Sequence, residues 1–104
     1  MARALDLARE ASEAGEAPIG AVVYVTGTGE AIAEARNTRE RDRDPAGHAE
    51  FTAIRAACTR VGDWRLNHCS VVVTLEPCAM CAGMIVSARV GRVVFGAEDP
   101  KAGA

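Results

Sequence analysis

The sequence predicts an α/β protein of three layers, α/β/α, around a mixed sheet that joins an antiparallel hairpin to parallel strands. Three observations carry that prediction. Residues 19–36 form two strand-like runs about a glycine-containing turn, residues 70–96 read strand, helix, strand with no room for a hairpin, and residues 2–14 and 48–58 show helical apolar spacing. A chain of 104 residues makes one domain. At that size only roughly 60–70% of the unfolded surface is buried on folding, so a bound metal would help a small core.

Residues 2–14 place Leu5, Ala8, Ala11 and Ser12 on one helical stripe, with Leu7, Ala11 and Ala14 alongside, and Gly15 stands where a left-handed C-terminal cap belongs. Ile19 to Val25 is a strand, Thr26 to Gly29 a turn, and Glu30 to Arg36 the alternating return strand. Asn37 to Gly47 has no apolar periodicity, carries Asp44-Pro45 and Gly47 as breakers, and reads as a loop that delivers the chain to His48. A second helix runs from about His48 to Cys58, with Phe51, Ile54 and Cys58 facing the core, and Gly62-Asp63 ends it. Ser70 to Leu75 is a nearly continuous β-branched run, as in a strand covered on both faces. Pro77 opens a third helix, which continues to about Ala88, and Arg92 to Gly96 is a fourth strand. The connection between these last two strands is a parallel, right-handed crossover. The tail from Ala97 to Ala104 is loop-like.

Composition narrows the function classes. Apolar residues make up 49%, charged residues 25%, and the formal net charge is -2, so a nucleic acid would have to meet a local basic patch rather than a global field. The first ten residues interleave charge with apolar side chains, which prevents a secretory apolar core, and no run approaches membrane-spanning length. Four cysteines could make two disulfides, but without an export signal a reduced cytoplasmic protein with a metal site fits them better.

The chemistry concentrates in His48-Ala49-Glu50 and in Thr74-Leu75-Glu76-Pro77-Cys78-Ala79-Met80-Cys81. Cys78 and Cys81, three apart, share one helical face near the helix start, where the dipole favours thiolates. With His48 they supply three zinc ligands and leave a fourth position for water, as a catalytic zinc requires. Glu50 is then free to carry protons. His48 and Glu50 would point to opposite sides of a regular helix, so they serve one site only if the cavity lies over the helix start. A His-x-Glu followed by Pro-Cys-x-x-Cys is the signature of zinc-dependent nucleobase deaminases.

Other residues have plainer readings. A bare Cys-x-x-Cys is also a redox motif or half of a closed structural zinc site, but Pro77 and the upstream His-x-Glu argue against both. Cys58 and Cys69 read as small buried apolar residues, His68 as a solvated turn residue, and Trp64 as a packing residue. The arginines from Arg36 to Arg43 alternate with acids, so a solvated loop and a phosphate contact are equally good readings. Spacing alone does not separate an adenine pocket from a guanine pocket.

Together with Glu16-Ala17-Pro18-Ile19-Gly20-Ala21-Val22, Asn37, Asp44-Pro45 and Gly91-Arg92-Val93-Val94-Phe95-Gly96-Ala97, these motifs resemble the bacterial tRNA-specific adenosine deaminases over essentially the whole chain. The resemblance implies a cytidine-deaminase-like fold, one zinc ion per subunit, a homodimer, and conversion of adenosine to inosine at the wobble position of a tRNA anticodon stem-loop. It implies that Asn37 and the backbone of Ala49 hold the base edge, that Ile19 packs on it, and that Leu75 and Pro77 line the pocket. Asp99 and Lys101 would touch the nucleotides flanking the target. Deaminases of free guanine or cytosine share the zinc core and remain the alternative, as does a catalytically silent zinc-stabilised dimer module. The chain departs from the family in Phe51, bulkier than the usual aliphatic, in a slightly longer hairpin turn, and in ending short of the usual C-terminal strand and helices.

Overall fold

The computed structural model describes residues 1–101 and 103; Ala102 and Ala104 of the expected tail lie outside the described residues. Among the described residues, four strands form one sheet in the order β2-β1-β3-β4, with β1 Gly20–Val25, β2 Ala31–Arg36, β3 Cys69–Leu75 and β4 Arg92–Ala97. Strand β1 pairs antiparallel with both β2 and β3, and β3 pairs parallel with β4. The mixed sheet is therefore the expected one, with a register shift in the hairpin between Val23 and Tyr24.

Strand alternation divides the core in two. On one face, α1 (Ala2–Glu13) packs Ala4 and Leu7 against Val22 and Val72. On the other, Ala21, Val23, Val71 and Val73 meet Ala53, Ile54 and Ala57 of α3 (Ala49–Val61) and Ile85 of α4 (Ala79–Ser87). Burial of β3 on both faces explains its unbroken β-branched run. Gly20 is where α1 comes closest to the sheet: a Cβ there would collide with the Ala4 carbonyl and lie 2.7 Å from Leu7 Cβ.

Several local expectations are corrected. In α1 the buried face draws on both expected stripes: Ala4, Leu7, Ala8 and Ala11 are buried, whereas Leu5 is 52% exposed and Ser12 and Ala14 are exposed. The helix does stop as expected, with Gly15 at φ +81° and its N–H on the Ser12 carbonyl. The loop before His48 contains a one-turn helix, α2 (Arg39–Asp42), too short to show periodicity. In α3 the buried stripe is Glu50, Ala53, Ile54 and Ala57, so Phe51 and Cys58 lie at its margins, half-buried. Pro77 precedes α4 rather than opening it, because Cys78 takes the extended N-cap conformation at φ -72°, ψ 175°. Trp64 is 56% exposed and not a packing residue; the Arg65 and Arg89 guanidiniums lie 5.3 and 5.9 Å from its ring centre. No helix among the described residues is long and apolar enough to cross a membrane.

Candidate active site

The site forms where two helices begin. His48 is the N-cap residue of α3, extended at φ -85°, ψ 143°, and Cys78 is the N-cap residue of α4. An N-cap residue lies outside the helical repeat. That is how His48 and Glu50, only two apart, escape the opposite-faces problem and line one cavity.

His48 Nδ1 lies 3.6 Å from Cys78 Sγ and 3.5 Å from Cys81 Sγ. A tetrahedral zinc with Zn–S of about 2.3 Å and Zn–N of about 2.0 Å holds sulfur and nitrogen about 3.5 Å apart, so the donors already stand at metal-binding separation. All three ligand atoms fall within 4.8 Å of one another, and no fourth protein donor belongs to the group among the described residues. Two thiols and one imidazole suit zinc, and three protein ligands leave a coordination position open.

Electrostatics point the same way. Burial raises the pKa of the Cys81 thiol, and the neighbouring Glu50 carboxylate and Cys78 raise it further. Potential anions thus crowd a closed space at two positive helix ends, a setting that a divalent cation completes. Glu50 is only 4% exposed and its side chain contacts that of Cys81, yet it stands outside the donor group.

A cavity of about 280 Å³ opens beside these groups. It is at the lower end of small-molecule pockets, near the size for one ring system rather than an extended ligand. Ile19 and Leu75 give it apolar wall, and Asn37, Arg39 and Asp99 add polar groups. Asn37 is buried; its Oδ1 accepts from the Arg39 N–H at 3.0 Å, which fixes the amide orientation.

Of the residues the sequence singled out, His48, Glu50, Cys78, Asn37, Ile19, Leu75 and Asp99 line this cavity, and Cys81 is buried beneath it. Ala49 is fully buried in the core next to the site. Pro77 lines a separate apolar groove with Ile85, Val86 and Phe95, and Lys101 is exposed in the tail, its N–H on Asp99 Oδ1 at 3.0 Å. Three carboxylates with no role assigned from the sequence, Glu16, Glu40 and Glu76, also belong to the cavity wall. Glu76 Oε1 accepts from the Asp99 N–H at 3.1 Å, and Glu16 binds the first turn of α2.

Comparison with known proteins agrees with this geometry. The chain is 50% identical over 103 residues to the tRNA-specific adenosine deaminase of Bacillus subtilis, a match that takes in 99% of this chain and 63% of that protein. It therefore spans somewhat less than two thirds of that relative. A solved structure from studies of A-to-I editing by tRNA:A34 deaminases superimposes with a TM-score of 0.92 at 46% identity, covering 97% of this chain and 72% of the other. The guanine deaminase of Bacillus subtilis gives 0.86 at 43% identity, over 93% of this chain and 61% of its own. Residues 1–97 match the family described as the cytidine and deoxycytidylate deaminase zinc-binding region, and the chain belongs to that family.

Proposed function

We propose that this chain is the catalytic domain of a zinc-dependent deaminase that converts adenosine to inosine at the wobble position of tRNA, working as a homodimer in a reducing cytoplasm. The observation that carries the proposal is the three-donor group with Glu50 beside it but not part of it, at the floor of a cavity of one-ring size. A closed structural zinc site has four protein ligands and needs no buried carboxylate next to it.

His48, Cys78 and Cys81 hold the zinc. When bound, the metal supplies the Lewis acidity that activates water at neutral pH. Glu50 takes one proton from the attacking water and passes it to the ring nitrogen beside the attacked carbon, then takes the second proton from the oxygen now on that carbon and gives it to the amino group, which leaves as ammonia. Adenosine and water thus become inosine and ammonia, with Glu50 regenerated. Ile19 and Leu75 clasp the ring, and Asn37 and the Ala49 backbone meet its polar edge. Asp99, at the cavity wall, and Lys101, beyond it in the tail, meet the flanking nucleotides.

The relative that acts on tRNA adenosine is 50% identical, which favours this substrate over free guanine. The guanine deaminase likeness keeps guanine as the second reading. Incubating the zinc-loaded chain with an RNA stem-loop bearing wobble adenosine, and in parallel with guanine, separates them. Inosine in the RNA, with binding that weakens as salt rises, is the expected result. Xanthine from guanine, with no inosine and no salt response, would replace the RNA reading with the free-base one.

A further inference from the structure

Glu16 is an acid in the turn between α1 and β1, a place where carboxylates are ordinarily solvated, yet it is only 8% exposed. Its backbone is fixed first: the Glu16 N–H donates to the Ala11 carbonyl at 2.9 Å, closing the end of α1. Its carboxylate then reaches across the cavity wall to α2. One oxygen accepts from the Glu40 N–H at 2.9 Å and the other from the Arg41 N–H at 2.8 Å.

These are the N–H groups that an N-cap side chain would ordinarily satisfy. Thr38, the residue at that position, makes no side-chain cap bond. Glu16 therefore caps α2 from another part of the chain, with two charge-assisted bonds in place of one neutral bond. Its grip completes a run in which every backbone N–H from Asn37 to Asp42 has a partner. Asn37 donates to the Ile19 carbonyl, Thr38 to Gly47, Arg39 to the Asn37 side chain, and Asp42 to Thr38. Gly47 lies so close beneath Arg39 that a Cβ would come within 2.9 Å of its backbone, and His48 follows directly.

We propose that Glu16 is a positioning residue that seats α2 against the cavity and so sets where Asn37 and Arg39 stand relative to the substrate ring. This inference rests on reading the cavity as a nucleobase site. Neither oxygen of Glu16 is free for proton transfer, so its effect runs through substrate placement, while the zinc donors are held by other elements. Loss of the clasp frees the Asn37 side of the cavity and leaves the His48–Cys78–Cys81 group in place.

The test compares Glu16→Ala and Glu16→Gln with the native zinc-loaded protein, on whichever substrate the native protein turns over. Displacements on the order of an ångström at a positioning group cost up to about a hundredfold. Glu16→Ala is expected to raise KM by about tenfold or more with a smaller change in kcat, and Glu16→Gln, which keeps one acceptor, to fall between. Zinc per chain stays that of the native protein. Unchanged KM in both variants overturns the proposal, and so does zinc loss in step with activity. Amide hydrogen exchange on the native protein gives a reading that needs no variant to fold: slow exchange at Glu40 and Arg41 supports the clasp, and exchange at exposed-loop rates refutes it. If the native protein deaminates nothing, the nucleobase reading fails, and the exchange measurement still decides whether Glu16 clasps α2.

Discussion

Replacing Glu50 with Gln tests the proton-carrier assignment with little change of shape. Glu50 is buried in the first turn of α3, its side chain touching that of Cys81, and it stands outside the metal-donor group. Two of the other cavity carboxylates are already engaged: Glu16 has both oxygens on backbone N–H groups, and Glu76 accepts the Asp99 N–H. A positioned general acid–base contributes about 10² to 10⁴ in rate. At about 1.4 kcal/mol per decade this is about 3–5 kcal/mol of transition-state stabilisation. Glu50→Gln is therefore expected to lower kcat by at least about a hundredfold, with KM nearly unchanged, because the amide fills the same space and the cavity walls are untouched. Single-turnover deamination reads the rate, and metal analysis of the same sample reads zinc occupancy. Retained activity within about tenfold, or loss of zinc along with activity, would refute the reasoning.

Two further predictions concern the scaffold. Gly20→Ala forces a methyl group into the α1 backbone at Ala4 and Ala8, so α1 must lift from the sheet. The expected cost is about 1–3 kcal/mol, read as a lower thermal midpoint, and an unchanged midpoint would contradict the close packing of α1. Burial raises the thiol pKa values of Cys58 and Cys69, and also that of Cys81. Each folded value lies above the unfolded thiol value of about 8.5, so the neutral thiols favour the fold below that pH and the benefit is lost as pH rises beyond it. Metal-free protein is expected to lose denaturant resistance between about pH 8 and 10, and zinc-loaded protein to lose less because its Cys81 is already deprotonated. A flat profile for the metal-free chain would contradict this.

What the sequence disclosed and what it withheld have physical reasons. The strands were legible because β3 is buried on both faces and β1 carries a β-branched run. The zinc group was legible because its members keep fixed spacing within two short segments. Helix faces were harder: α1 carries leucines at positions 5 and 7, and which of them is buried depends on the approach of α1 to Gly20. The turn of α2 was invisible because four charged residues have no apolar period, and its cap comes from Glu16 rather than from Thr38. Glu16 and Glu76 stand within the motifs but carried no role of their own for a related reason. An acid in a loop reads as solvated until the fold supplies N–H groups around it. Trp64 went the other way, from expected core to exposed surface, where the Arg65 and Arg89 guanidiniums lie against its ring.

The measurement closest to the central claim is a zinc titration of metal-stripped protein, with inosine formation on the wobble-adenosine stem-loop as the readout. The account predicts that activity rises linearly with added zinc and stops at about one ion per chain, the capacity of a single three-ligand site. Full activity in the metal-stripped protein would contradict it. So would a chain that binds one zinc tightly through His48, Cys78 and Cys81 and deaminates neither the RNA nor a free base.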